Sequence, residues 1–357
     1  MLKIIDYIPE GFLSVGLEEL PRILPNPTLI HLPGRRSRPL FVSVLLHGNE
    51  ETGLLALQAL LGKYARAGLP RALSVFIGNM QAAPCRRRML DNQPDYNRVW
   101  KAGNSPEHAL AGRVLEIMRK KNPFACVDVH NNTGINPHHS AVNFLDNRIL
   151  RLATLFSRRV IYFTSPEGSL ASAFGNFCPA VTIECGQPGH EYGTRHTAEY
   201  LDGCLHMAEL PDKKPDDIDI YHIVAKIKVK EGVSFGFGLF IMELPHHDEN
   251  SRLSPKTGEA PLRHFHGKKV DLCFRNDIDH LNFQEVSAGT LLGKMGDGLS
   301  CPLEIFDQVG NQVENKYLSF KNKEIRLLSD IIPVMFTREP EAVRQDCLGY
   351  FMKRYRP

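Results

Sequence analysis

The sequence predicts an α/β protein with a mixed, mostly parallel sheet covered by helices on both faces, followed by a smaller β-rich domain. Over the first two-thirds of the chain, apolar runs alternate with helical patterns, and near residue 211 the pattern changes to short strand-like runs. The apolar runs are continuous, which is typical of strands covered on both faces. Strands interleaved with helices are typical of a parallel or mixed sheet between helical layers.

Six apolar runs rich in Val, Ile and Phe are the candidate strands of the first domain: 40–46, 73–78, 124–129, 141–146, 160–164 and 179–184. Helical patterns lie between and after them, at 51–68, 105–122 and 194–209. In the second of these helices Ser105 is the expected N-cap, Pro106 takes the first helical position and the last turn is basic. Helix termini favour each of these choices.

A charged segment bracketed by prolines, 211–217, marks the expected domain boundary, so we expect domains at 1–210 and 211–357. Short strand-like runs follow, separated by Gly, Pro, Asn and Asp turns: 220–230, 234–243, 269–274 and 315–320, with a turn into a further short strand within 287–298. Such spacing is typical of a small β-rich domain. One role for this domain is a lid over the active site.

The bulk composition of the 357 residues excludes several classes of protein. A net charge of +3 gives no electrostatic case for binding nucleic acid or a membrane surface. The eight cysteines form no C-x-x-C pair, and several lie in apolar runs, as reduced core thiols do. No apolar run is long enough to span a bilayer, and the first ten residues include acids that a signal peptide would lack. We expect a cytoplasmic protein whose oligomeric state, a homo-oligomer included, stays open.

Ionisable side chains follow three of the candidate strands directly. His47 and Glu50 follow the first strand, His130 follows the third, and Glu184 ends the sixth. In open α/β sheets the functional crevice lies beyond the carboxyl ends of the strands. We therefore expect these four side chains to converge at one edge of the sheet.

The expected cluster matches the requirements of a catalytic zinc site, which takes three protein ligands and leaves a position for water. The expected ligands are His47, Glu50 and His130, with Gly48 allowing a tight turn between the first two. Glu184 would then stay off the metal and accept the proton of the bound water. Asp128 lies two residues before His130, on the same side of the strand, where it can accept the imidazole N–H of a ligand histidine.

Each of these signals alone also fits an ordinary structural role. A single H-x-x-E pair arises easily by chance among 15 histidines and fits a capped helix start. A lone His130 fits a loop, and a lone Glu184 fits a solvated surface. Their joint placement favours a metal, because burying four ionisable groups in one crevice without one is costly. Imidazole and carboxylate ligands suit several divalent ions, so one Zn²⁺ ion is the first expectation among them.

Four motifs in this order resemble the succinylglutamate desuccinylase/aspartoacylase family, a branch of the zinc carboxypeptidase-like fold: HGNE at 47–50, DYNR at 95–98, DVHNNTG at 128–134 and IECG at 183–186. The resemblance covers roughly residues 38–210, and the later region is compatible with that family's second domain. It implies that the histidines and glutamate of the first and third motifs bind zinc, and that Glu184 is the general base and acid.

The resemblance also implies contacts to the substrate. Asn97 and Arg98 match the family's Asn-Arg pair, which holds a substrate carboxylate; a guanidinium grips such a group through two parallel hydrogen bonds. Arg88 aligns with an arginine that stabilises the oxyanion. Because the spacing is longer here, Arg86 and Arg87 remain alternatives, as does a solvated loop.

A tyrosine of the family's second domain aligns with Tyr317, for which a core-packed strand tyrosine is the alternative. Family members that act on acidic acyl groups carry a further arginine about ten residues before the base, where this chain has Phe174. The acyl pocket is then either more apolar or served by Arg195 or His196.

A second metal at the adjacent pair His138 and His139 is disfavoured, because neighbouring residues on an extended chain point in opposite directions. The first functional expectation is a zinc-dependent amidohydrolase that removes the acyl group from a small N-acyl amino acid. The alternative is a metallocarboxypeptidase acting on short peptides, which an open groove would admit and a lid would exclude. The third is a non-catalytic metal-binding protein on the same scaffold.

Overall fold

The computed structural model describes residues 1–164, 167–238 and 270–355. The chain divides into two compact units, the first formed by Met1–Ile223 with the residues from Lys353 onward, and the second by Val224–Met352. The boundary lies beyond the position expected from the sequence. The reason is that the beginning of the strand Asp219–Val229 still pairs with the last strand of the first unit.

The first unit is built on a mixed sheet. Its strands are β1 (Lys3–Ile5), β2 (Thr28–Leu32), β3 (Gly34–Val44), β4 (Leu69–Ile77), β5 (Ala125–His130), β6 (His139–Val142), β7 (Arg159–Tyr162) and β8 (Ala180–Glu184). Their order is β1-β2-β4-β3-β5-β8-β6-β7, followed by the beginning of β9 (Asp219–Val229). Strands β4, β3, β5 and β8 are parallel neighbours, whereas β2 and β6 run antiparallel to β4 and β8. The predicted mixed, mostly parallel sheet is confirmed.

Helices cover both faces of this sheet. They are α1 (Leu20–Ile23), α2 (Thr52–Lys63), α3 (Pro106–Lys121), α4 (Asn147–Thr154), α5 (Leu170–Gly175) and α6 (Glu191–His206). Leu40, Val42 and Val44 of β3 pack with α2, α4 and α6, whereas Phe41 packs with α3 and α5 on the opposite face. This alternation explains the continuous apolar run, because successive residues enter two different cores. At α3 the hydroxyl of Ser105 accepts a hydrogen bond from the His108 N–H, as an N-cap does.

The second unit is β-rich, as predicted. Besides the rest of β9 it contains β10 (Phe235–Gly238), β11 (Leu272–Arg275), β12 (Leu291–Met295), β13 (Leu303–Phe306), β14 (Leu318–Lys321), β15 (Glu324–Leu327), β16 (Ile332–Val334) and β17 (Gly349–Arg354), with α7 (Glu314–Tyr317) and α8 (Pro340–Gln345). Five strands form a sheet in the order β10-β11-β12-β15-β14. The predicted strand 315–320 is wrong in its first half, which is the helical turn α7. The predicted strand 234–243 lies outside the described residues after 238.

The sheet of the first unit brings the candidate residues to one edge. His130 at the end of β5 lies directly opposite Glu184 at the end of β8, and Asp128 lies opposite Ser43 of β3. The chain leaves β3 on the same edge, three residues before His47. Within the described ranges, no helix combines the length and apolar character needed to cross a membrane.

Candidate metal centre

Three buried side chains meet at the carboxyl edge of the sheet: His47, Glu50 and His130. One ligand atom from each lies within 4.8 Å of the others. The two carboxylate oxygens of Glu50 lie 2.7 Å from Nδ1 of His47 and 2.7 Å from Nδ1 of His130. These three residues come together as the sequence predicted. The structure adds that the glutamate lies between the two imidazoles.

The turn after β3 presents the first two of these side chains. Leu45 has a positive φ of 56°, which ends the strand, and the Glu50 N–H donates to the His47 carbonyl at 3.2 Å. Gly48 packs so tightly that an added Cβ would lie 2.3 Å from the carbonyl carbon of Ala82. Close approach of two backbone segments, rather than a left-handed conformation, is thus the reason for glycine at this position.

Each imidazole is held at its other nitrogen by an aspartate. Nε2 of His130 lies 2.9 Å from Oδ2 of Asp128, and Nε2 of His47 lies 3.0 Å from Oδ1 of Asp95. An Nε2–H donated to the aspartate leaves Nδ1 as a lone-pair donor toward the centre of the cluster. Two imidazoles so oriented and one carboxylate are a donor set that fits zinc.

Electrostatics of the cluster favour positive charge among its carboxylates. Burial and the Arg88 guanidinium lower the pKa of His47, but Glu50 and Asp95 outweigh them and raise it. Burial also opposes protonation of His130, yet Asp128 and Glu50 hold its pKa well above the ordinary value. A divalent cation satisfies the same carboxylates in place of these protons, so metal binding here is coupled to proton release.

Glu184 is buried beside the cluster. Its Oε2 accepts a hydrogen bond from Nδ2 of Asn132 at 2.5 Å. Burial raises the pKa of Glu184 to about 7, with Glu50 and Asp128 adding to the shift and the imidazoles of His130 and His47 opposing it. A carboxyl group with a pKa near neutrality can both accept and donate a proton at pH 7.

Among the three consecutive arginines, Arg88 contacts the metal centre through an aspartate. Its Nη2 donates to Oδ2 of Asp95 at 2.8 Å, and Asp95 in turn holds His47. Arg86 pairs with Glu51 at 2.9 Å, and Arg87 pairs with the exposed Asp91. This geometry favours Arg88 over its two neighbours for a role at the site.

Asn97 and Arg98 lie beside the second histidine. Nδ2 of Asn97 lies 3.3 Å from Nε2 of His130, and its Oδ1 accepts a hydrogen bond from the Leu170 N–H at 2.9 Å. Nη1 of the half-buried Arg98 donates to the Asn97 carbonyl at 2.8 Å. The Asn-Arg pair is thus fixed in place next to His130 by the protein itself.

Two aromatic residues singled out from the sequence lie in cores. Tyr317 is buried in the second unit, where its ring packs 5.8 Å from that of Phe351, so its burial favours the core-packing alternative over contact with substrate. Phe174 is fully buried in the first unit and stacks on Phe41 at 4.3 Å. The interpretation of Phe174 as part of an apolar acyl pocket is therefore wrong, because its side chain is enclosed by the core.

Two functional candidates were missed by the sequence reasoning, Asp95 and Asn132. Asp95 begins the DYNR motif and Asn132 lies within DVHNNTG. Their position in these motifs was the sequence signal that could have identified them. Within the described part of the chain, the group of ligand side chains close enough to share a metal ion is His47, Glu50 and His130, and it includes neither His138 nor His139. His138 instead stacks on His196, and Nδ1 of the fully buried His139 bonds to the Pro137 carbonyl.

No family model matches the sequence, and no curated protein matches it. Solved structures share its fold over most of the chain. Succinylglutamate desuccinylase from Chromobacterium violaceum is 14% identical with a TM-score of 0.52, covering 90% of this chain and 86% of that one. A succinylglutamate desuccinylase/aspartoacylase from Rhodobacter sphaeroides is 14% identical with a TM-score of 0.53, covering 91% and 88%. Murine aminoacylase 3 is 13% identical with a TM-score of 0.51, covering 90% and 96%.

Fold and site together define an α/β protein with a buried His-Glu-His cluster at the carboxyl edge of its sheet. More particularly, the fold is that of the succinylglutamate desuccinylase/aspartoacylase structures. The fold implied by the four sequence motifs is thereby confirmed.

Proposed function

We propose that the protein is a zinc-dependent hydrolase that removes the acyl group from N-acyl amino acids. The observation that carries this proposal is the buried His47–Glu50–His130 cluster, together with Glu184, which lies opposite His130 on the neighbouring strand. The shared fold supports it, because the solved structures include proteins named as desuccinylases and an aminoacylase.

The two Nδ1 atoms and a carboxylate oxygen of Glu50 would hold the zinc ion. When bound, zinc supplies a Lewis acid for the scissile carbonyl and lowers the pKa of its water. Asp95 and Asp128 keep both imidazoles in the tautomer that offers Nδ1, because each accepts the Nε2–H.

Glu184 is the proposed proton carrier. Its carboxylate takes the proton of the attacking water and passes it to the nitrogen of the leaving amine. Asn132 fixes Oε2 by its hydrogen bond, which orients the carboxylate for both transfers. Burial raises the pKa of this carboxyl group above its ordinary value, which favours its return of the proton to the leaving amine.

The arginines position and stabilise the substrate in this proposal. Arg88, held by Asp95, would donate to the oxyanion of the tetrahedral intermediate. Arg98, with Asn97 beside it, would hold the free carboxylate of the amino acid.

A metallocarboxypeptidase acting on short peptides would use the same groups and is the alternative. A lid formed by the second unit would exclude peptides and so distinguish the deacylase from the carboxypeptidase. That role of the second unit stays a prediction. A non-catalytic metal-binding role is disfavoured because a buried carboxylate with a raised pKa stands beside the cluster.

The decisive experiment combines metal analysis with turnover of a panel of N-acyl amino acids and C-terminally free dipeptides. Glu184→Gln keeps the shape of the side chain but removes the proton acceptor, so we expect one zinc per chain and a rate lowered by about 10²–10⁴-fold. The exposed Glu199→Gln on α6 is the matched control, with full activity. Unchanged turnover in Glu184→Gln would refute the assignment of the base, and faster cleavage of dipeptides would favour the alternative.

A further inference from the structure

A long connection without regular secondary structure carries two of the groups beside the metal centre. Between the helical turn Ala83–Cys85 and α3, residues 86–105 form neither helix nor strand, and Arg88 and Asp95 lie within this stretch. Connections of this length are uncommon in compact domains and usually serve a function. Such a segment needs anchors if it is to hold Arg88 at 2.8 Å from Asp95, and Asp95 at 3.0 Å from His47.

Gln93 supplies an anchor through a reciprocal amide pair with Asn79, which follows β4. Nδ2 of Asn79 donates to Oε1 of Gln93 at 2.8 Å, and Nε2 of Gln93 donates to Oδ1 of Asn79 at 3.2 Å. The Leu90 N–H also donates to Oε1 of Gln93, at 3.1 Å, and the Gln93 N–H donates to the Leu90 carbonyl at 3.2 Å. The turn 90–93 is thereby closed on itself and fastened to the segment after β4.

Asn79 is firmly fixed in its own right, because it is fully buried and hydrogen-bonded on several sides. Its N–H donates to the Leu45 carbonyl at 2.6 Å, and its Oδ1 also accepts from the Ala82 N–H at 3.1 Å. Leu45 begins the turn after β3, and Ala82 is the residue against which Gly48 packs. The amide pair therefore joins the long connection to the same backbone that presents His47.

A backbone contact ties the arginine end of the connection to the metal-binding turn as well. The Gly48 N–H donates to the Arg88 carbonyl at 3.2 Å. The ion pair of Arg87 with the exposed Asp91 lies at the surface, where such a pair contributes little. Loss of the amide pair would instead leave buried polar atoms of Asn79 without partners, which is costly.

We propose that Gln93, through its amide pair with Asn79, is a positioning residue that holds Arg88 and Asp95 toward the metal centre, an inference that rests on the proposed deacylase function. Gln93 touches neither zinc nor substrate in this proposal. It acts through Arg88 on the oxyanion, and through Asp95 on the orientation of His47.

The groups proposed to hold the substrate carboxylate have anchors of their own. Oδ1 of Asn97 accepts from the Leu170 N–H at 2.9 Å. The buried Trp100 fixes the segment that follows, because its N–H donates to the Gly168 carbonyl at 3.0 Å. An oxyanion contact from Arg88 forms only in the transition state. Loss of the amide pair is therefore expected to lower kcat and to leave KM nearly unchanged.

The test replaces Gln93 by methionine, which nearly keeps the length of the side chain and removes its three hydrogen bonds. We expect Gln93→Met to bind zinc about three- to tenfold more weakly and to lower kcat per bound zinc about tenfold, with KM within about twofold. Amide exchange of Leu90 and Gly48 in the metal-free protein should be about three- to tenfold faster. Gln93→Glu keeps the acceptor for the Asn79 amide and the Leu90 N–H, so it should restore most of these values. Gln81→Met, at an exposed glutamine of the same connection, is the control.

Two results would overturn the assignment of Gln93. One is a Gln93→Met variant that loses thermal stability alone, with zinc affinity, kcat and amide exchange equal to those of Gln81→Met. The other is a rise in KM at unchanged kcat, which would place the effect on Arg98 instead. If the wild-type protein hydrolyses no N-acyl amino acid, the proposed function fails, and zinc affinity and amide exchange then judge Gln93. Weaker zinc binding with faster exchange supports the positioning role, and unchanged values overturn it.

Discussion

Asp95 is the residue whose replacement tests the electrostatic design of the metal centre most directly. Its Oδ1 lies 3.0 Å from Nε2 of His47 and accepts the Asn97 N–H at 2.7 Å, while its Oδ2 accepts from Arg88 at 2.8 Å. Asp95→Asn keeps the shape and one acceptor oxygen but removes the negative charge that both His47 and Arg88 contact. The variant therefore separates charge from packing.

The expected effect is a zinc affinity lowered by about 10–100-fold, or about 1.4–2.7 kcal/mol, as for other groups that orient metal-binding histidines. Competition with a chromophoric chelator at pH 7.5 measures this affinity directly. Asp91→Asn is the matched control, because Asp91 lies in the same loop and pairs with Arg87. The side chain of Asp91 is 82% exposed, against 16% for Asp95. An exposed pair of this kind contributes at most about 1 kcal/mol. A zinc affinity of Asp95→Asn within twofold of the Asp91→Asn value would refute the reasoning.

Two further perturbations address the base and the turn. Burial raises the pKa of Glu184 from 4.5 to about 7, so the folded state loses stability as pH rises between these values. Glu184→Gln is therefore expected to stabilise the metal-free protein at pH 8 by up to about 3 kcal/mol, measured by denaturant unfolding. An unchanged or lowered stability of this variant would contradict the raised pKa. Active protein should show an acidic limb in kcat/KM at or below pH 7, since a bound cation lowers this pKa, and its absence would count against Glu184 as base. Gly48→Ala places a Cβ within 2.3 Å of the backbone of Ala82, so we expect it to lower both the zinc stoichiometry and the stability of the protein. The control is Gly62→Ala in α2, where an added Cβ has no atom within 4 Å and the change should be neutral or stabilising by about 0.5–1 kcal/mol. Equal zinc content in the two variants would argue against the tight turn at Gly48.

The central strands were readily predicted because each is buried on two faces. The run 124–129 corresponds to β5 and the run 179–184 to β8, each within about one residue. Elements such as β1 and α5 were not predicted, because three to six residues show no measurable periodicity. The segment at 315–320 combines a helical turn with a strand, and a short apolar run cannot distinguish the two.

The convergence of His47, Glu50, His130 and Glu184 followed from the rule that side chains after parallel strands share one edge. The contact of Asp95 with His47 could not be derived in this way. It spans 48 residues and depends on how the long connection between β4 and α3 folds back over the site. The burial of Phe174 was equally inaccessible, because aromatic residues line pockets and cores alike and the local sequence does not distinguish them.

The residues of the metal centre are carried by two kinds of backbone. Asp128, His130 and Glu184 belong to paired strands, where slippage by one position would turn all three side chains to the wrong face. His47 and Glu50 lie instead in the turn after β3, which the close approach of Gly48 to the backbone of Ala82 holds in place. The hydrolytic chemistry is therefore inherited with the pairing of β5 and β8, and not with the identity of the side chains alone.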